Sequence, residues 1–169
     1  ENLINAIENN IVFLLICGGY QLFGQYYKDS EGNTIEGIGA FNYYTETKEE
    51  RTTGYIVTET ILNGKKIKIT GFENHAGHTF GVLNEFGKVL KGVGNNFQDK
   101  TEGISYKNVI GTYIHGPLLA RNLELTDEII RRMALNRGYE VNFTDSINRF
   151  EYKAKRQILS EFGMEIEDI

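Results

Sequence analysis

The spacing of apolar positions changes several times along the chain. In residues 2–9, Leu3, Ile4 and Ile7 fall on one face of a helix. Ile11 to Ile16 is then apolar at every position. That is the pattern of a strand packed on both faces, the usual state of a central parallel strand. Such a strand needs hydrogen-bonding neighbours on both edges, and only one short helix precedes it. Residues 20–27, Tyr-Gln-Leu-Phe-Gly-Gln-Tyr-Tyr, predict a helix that packs its aromatic side. Residues 52–62 and 65–72 flank Asn63-Gly64, a pair suited to the two positive-φ positions of a tight hairpin. Residues 79–83, 88–93 and 103–107 also predict strands, and the mostly apolar run Val109 to Ile114 ends at His115. The last third is helical. Thr126 caps a helix with Asp127 and Glu128 in its first turn and Arg137 before Gly138. Its inner face is Leu125, Ile129, Ile130 and Met133. A second helix over residues 145–162 spaces Phe150, Ala154, Ile158 and Phe162 four apart and stops at Gly163. The predicted class is α/β: a mixed, largely parallel sheet flanked by helices, in one domain over residues 1–169.

Composition narrows the function classes. With 40% hydrophobic and 24% charged residues the chain is of ordinary globular composition. A net charge of −5 supplies no general attraction to nucleic acid or to an anionic membrane. The apolar run before Cys17 is too short to cross a bilayer. Cys17 is the single cysteine, so no disulfide forms within the chain, which suits a reducing cytoplasm. The chain opens on Glu1 with no initiator methionine, and the apolar strand lacks a preceding neighbour, so the sequence predicts an N-terminally incomplete domain.

Cys17 directly follows the apolar strand and precedes Gly18-Gly19-Tyr20-Gln21. Strand, cysteine, glycine turn and helix is the order of a nucleophile elbow. A helix N-terminus favours thiolate, and the Gly18 backbone N–H points to where an oxyanion forms on an attacked carbonyl. Gly18 and Gly19 leave room for substrate beside the sulfur. Taken alone, a cysteine after an apolar strand is more often a packed core residue. His115, at the end of the second apolar strand, supplies a base. Two strands of one parallel sheet bring Cys17 and His115 to the same edge, where ligands bind in open α/β sheets. Such a histidine takes the thiol proton and returns one to a leaving amine. His75 and His78 are three apart, but Cys17 and His115 are the only further Cys or His, so no metal is expected.

Three segments occur in order: Ile16-Cys17-Gly18-Gly19-Tyr20-Gln21-Leu22, Gly71-Phe72-Glu73-Asn74-His75-Ala76-Gly77-His78-Thr79, and Gly111-Thr112-Tyr113-Ile114-His115-Gly116-Pro117-Leu118-Leu119. Together they resemble the class I glutamine amidotransferases of the cobyric acid synthase type. Within that family the sequence resembles the glutaminase subunit of lipid II isoglutaminyl synthase. Gly92-Val93-Gly94-Asn95-Asn96 and Thr101-Glu102-Gly103 are similar to the same subunit. The resemblance implies that Cys17 attacks the glutamine amide and that His115 acts as base and then acid. It implies substrate binding by Gln21, Arg51, Gly19 and His75. A guanidinium at Arg51 suits the substrate carboxylate, although Glu46-Thr47-Lys48-Glu49-Glu50-Arg51 also has the composition of a solvated loop.

Two positions depart from wider patterns. Many class I amidotransferases carry a glutamate two residues after the histidine, where this chain has Pro117, as in the cobyric acid synthase branch, so the resemblance implies a Cys–His dyad or an orienting group from elsewhere. His78 stands where the family more often has arginine. No phosphate-binding Gly-x-x-x-x-Gly-Lys loop is present, so no cofactor is expected on this chain. The resemblance implies a Mur-ligase-like synthetase partner that uses ATP to amidate the D-glutamate of lipid II, in the bacterial cytoplasm. Two other readings stay open: the glutaminase part of a cobyrinic or cobyric acid amide synthase, and a non-catalytic docking subunit using some of the ten tyrosines and ten phenylalanines.

Overall fold

A computed structural model of the chain describes residues 2–143 and 150–166. In chain order its elements are α1 (Asn2–Glu8), β1 (Phe13–Ile16), α2 (Gly18–Leu22), β2 (Tyr26–Lys28), β3 (Thr34–Glu36), β4 (Tyr44–Leu62) and β5 (Lys65–Phe80). They continue with β6 (Gly87–Lys91), β7 (Thr101–Glu102), β8 (Ile104–Tyr106), β9 (Val109–Thr112), β10 (Ile114–His115), α3 (Leu118–Arg121), α4 (Leu123–Leu135) and α5 (Phe150–Glu161). None of the described helices is long and apolar enough to cross a membrane.

The strands form two sheets. A three-stranded sheet runs β1-β9-β8, and a larger one runs β10-β5-β4-β2-β3, with β6 on β4 and β7 on β6. The α/β class and the mixed sheet are as predicted. The largely parallel character is not: only β1 with β9 and β2 with β4 pair in parallel among the described strands. The long β4–β5 hairpin dominates instead, turning at Asn63 and Gly64, both at positive φ as predicted.

β1 packs on both faces, as its unbroken apolar run requires. Val12 and Leu14 meet the core of Ile56, Ile110 and Ile114, while Leu15 and Phe13 meet that of Ile7, Tyr20 and Val109. It is not the central strand, however. Among the described residues it pairs only with β9, and Ile11 and Ile16 stay exposed. The central place belongs to β9, whose four residues are all buried.

Other predicted boundaries shift for local reasons. α2 stops at Leu22 rather than continuing to residue 27, because Gly24 passes against the Tyr43 ring and Tyr26–Lys28 pairs as β2. Residues 79–83 are not a separate strand; β5 runs through to Phe80. α4 starts at Leu123, before Thr126, whose hydroxyl donates to the carbonyls of Leu119 and Asn122 from inside the helix. Leu125 and Ile129 are buried as predicted, whereas Ile130 and Met133 face solvent. The buried stripe of α5 is Tyr152, Lys155 and Leu159; Phe150 and Ala154 are exposed. Lys155 is turned inward by Glu124 of α4, whose two carboxylate oxygens each lie 3.0 Å from Nζ. Residues 145–149 of the predicted last helix lie outside the described residues.

Candidate active site

Cys17 closes β1 and opens α2 with φ 51° and ψ −108°, a conformation that costs a non-glycine residue of the order of 1–3 kcal/mol. Surrounding packing holds it there. The Cys17 N–H donates to the Thr112 carbonyl across the β1–β9 ladder at 2.9 Å, and the Gln21 N–H returns to the Cys17 carbonyl at 2.9 Å. One turn on, Tyr20 is fully buried; its hydroxyl donates to Asn95 Oδ1 at 3.0 Å, and Tyr43 donates to its carbonyl. Cys17 is partly exposed. A Cβ placed at Gly18 or Gly19 would meet nothing within 4 Å, so the space at these two glycines is open.

Burial pushes the Cys17 thiol above its ordinary range, against the predicted lowering at a helix start. The Gly18 backbone N–H and the Arg51 guanidinium pull the other way without overcoming it.

His115 stands on the larger sheet and not, as predicted, on a second strand of one parallel sheet with Cys17. β9 ends at Thr112, Tyr113 turns, and β10 joins the larger sheet, with Ile114 opposite Glu73 and His115 opposite Phe72. His115 thus stands three residues, at most about 10 Å of chain, beyond the residue that accepts the Cys17 N–H. The turn is fixed by Glu102, which is fully buried. Its Oε1 accepts from the Tyr113 N–H at 2.6 Å and its Oε2 from the Thr112 hydroxyl at 3.0 Å, while the Ile114 N–H donates to that hydroxyl at 3.0 Å. Burial pushes the Glu102 carboxyl up to about 8. Among the described residues, no hydrogen bond joins the sulfur to the imidazole, and the buried Nδ1 of His115 has no partner.

The other predicted site residues divide. Arg51 is on strand β4, not in a loop; its Nε–H donates to Asn74 Oδ1 at 2.8 Å, and it lines an open cavity of about 380 Å³ with Tyr55, Lys91 and Phe97. Gln21 is half-buried and turns its amide onto the Tyr113 hydroxyl at 3.2 Å. His75 departs from the predicted substrate-binding place: at 2% exposure, with its ring stacked on Tyr113 at 3.8 Å, it is packed in the interior rather than open to a ligand. His78 is equally buried, and its ring bonds the Thr52 hydroxyl. Burial draws its pKa down to about 4. Glu102 and Asn74 were given no role by the sequence reading, although both lie in segments that carried the resemblance. The Gly92–Asn96 segment is framework: Glu73 takes the N–H groups of Val93 and Gly94, both at 2.9 Å, and Asn95 holds Tyr20 and Gly103.

The model of the CobB/CobQ-like glutamine amidotransferase domain matches residues 1–123. The chain belongs to that family. It is 42% identical over 154 residues to the Staphylococcus aureus (strain N315) protein named lipid II isoglutaminyl synthase (glutamine-hydrolyzing) subunit GatD, covering 91% of this chain and 62% of that protein. To the Streptococcus pneumoniae (strain ATCC BAA-255 / R6) subunit of the same name it is 40% identical over 143 residues, 82% of this chain and 54% of that one. A cobyric acid synthase of Clostridium perfringens (strain ATCC 13124) is 31% identical over 154 residues, 86% of this chain but 30% of that protein. This CobB/CobQ-like chain thus spans less than two thirds of the relatives named here.

Proposed function

We propose that this CobB/CobQ-like amidotransferase chain hydrolyses glutamine at Cys17 and passes the ammonia to a synthetase subunit. The observation that carries this reading is the strained backbone of Cys17 beside two glycines with open space above them. A costly conformation at an exposed rim is kept where the chemistry needs the side chain presented.

In this mechanism Cys17 loses its proton to His115 and the sulfur attacks the side-chain carbonyl carbon of glutamine. The Gly18 N–H donates to the oxygen that becomes negative. The imidazolium returns the proton to the amide nitrogen, ammonia leaves, and a thioester remains. Water, deprotonated by His115, then releases glutamate and restores the thiol. The raised pKa of Cys17 explains why a base is required at all. Arg51 takes the substrate carboxylate, while Gln21 and Gly19 border the bound glutamine.

The names of the two GatD relatives favour lipid II as the acceptor. On this reading a Mur-ligase-like partner binds ATP, activates the D-glutamate carboxylate and receives the ammonia, in the bacterial cytoplasm, where a lone thiol stays reduced.

The test is ammonia release from glutamine by the protein with its synthetase. Cys17→Ser and His115→Gln are each expected to lower it at least about a thousandfold. Undiminished release by Cys17→Ser refutes the nucleophile. Amidation of a corrin carboxylate in place of lipid II refutes the acceptor.

A further inference from the structure

We infer that Asn74 is a positioning residue for substrate binding: it holds Arg51 by Nε and leaves the two terminal nitrogens of the guanidinium free to grip a carboxylate end-on. This deepens the proposed function and rests on Arg51 as the carboxylate anchor. The geometry begins with a mismatch between β4 and β5. Thr47 pairs with Gly77 and Thr52 with His75, so residues 48–51 of β4 lie opposite Ala76 alone. Chain in such an excursion has lost its ladder partners. At its far end Arg51 is tied back to β5 by a side-chain bond, Nε–H to Asn74 Oδ1 at 2.8 Å.

Asn74 is itself in register. It pairs with Thr53, whose hydroxyl lies 3.5 Å from the same oxygen. Residues two apart on a strand share a face, so Asn74 lies on the same side of β5 as Phe72, and His115 lies opposite Phe72. Arg51 and the catalytic imidazole are therefore presented on one face of the larger sheet. A guanidinium has two edges on which a carboxylate can dock with two parallel bonds. Asn74 occupies the edge that includes Nε. Among the described residues the terminal nitrogens make no hydrogen bond, which leaves the end-on edge for the ligand. The guanidinium is also near enough to Cys17 to stabilise its thiolate.

Two measurements test this. In the free protein, iodoacetamide alkylation of Cys17, the only cysteine of the chain, reports the charge near the sulfur. Asn74→Leu is expected to slow alkylation at pH 8 about threefold, Arg51→Ala at least as much, and the double variant no more than Arg51→Ala. In the glutaminase assay with the synthetase present, Asn74→Leu is expected to raise KM for glutamine about tenfold with kcat within twofold. Asn74→Asp, which keeps the acceptor, holds KM within about threefold of the wild type. Wild-type alkylation by Asn74→Leu overturns the inference, as does a further loss when Asn74→Leu is added to Arg51→Ala. If the wild type releases no ammonia, the proposed function fails, and alkylation alone decides whether Asn74 sets Arg51.

Discussion

Replacing Glu102 by glutamine tests how the site is held together. The carboxyl is fully buried and pushed up to about 8 by burial, opposed by its bonds from Tyr113 and Thr112 and reinforced by the Glu73 charge. Tyr20 and Tyr113 are the other titratable groups close by. In the unfolded chain the same carboxyl ionises near 4.5. Between those two values the folded state binds a proton that the unfolded state has lost, so stability falls as pH rises. Integrating from pH 6.5 to 8 gives a loss of about 1.6 kcal/mol, and glutamine, which does not titrate, abolishes it. The contribution of His78, drawn down to about 4, is the same in both proteins and cancels in the difference. Urea unfolding at several pH values and constant ionic strength measures it. Glutamine mimics the neutral acid, so the two proteins are expected to lie within about 1 kcal/mol at pH 6.5, with the variant gaining relative to wild type as pH rises. Parallel pH profiles for the two proteins would refute the reasoning.

Two more outcomes follow from the packing. Lys155→Ala is expected to cost about 3–5 kcal/mol by stranding Glu124, whereas Lys155→Met with Glu124→Leu costs less than about 1 kcal/mol, read in a double-mutant cycle. Cys17→Gly relieves the positive φ and is expected to raise unfolding stability by about 1 kcal/mol while ammonia release vanishes; a destabilised variant would deny that the backbone there is strained.

Legibility in the sequence followed the kind of signal each element carries. Asn63-Gly64 announced its hairpin because turn chemistry is local. The apolar run before Cys17 disclosed packing on two faces but not which strand is central, since periodicity carries no information about pairing. The first part of β4, residues 44–51, was hidden because its one buried residue is Thr45, where an aliphatic residue would have marked a strand. Lys155 was hidden by the same rule inverted, a charged residue on the inner stripe of α5 that only its partner makes tolerable. The candidate site residues Cys17, Gly18, Gly19 and His115 stand out in the sequence by their places at element ends. Glu102 and Asn74 bond to groups distant in sequence, Tyr113 and Arg51, so no spacing points to those contacts.

The unequal stretch where four residues of β4 face one of β5 works as a shim between two rigid halves of the hairpin. Elsewhere in the ladder, one residue inserted or removed would turn every following side chain to the opposite face. Here a change of length is absorbed locally, and the hairpin beyond it keeps its inward set of Ile56, Ile69 and Gly71. The reach of the Arg51 side chain toward Asn74 can thus change with the length of that stretch while the rest of the sheet keeps its fold.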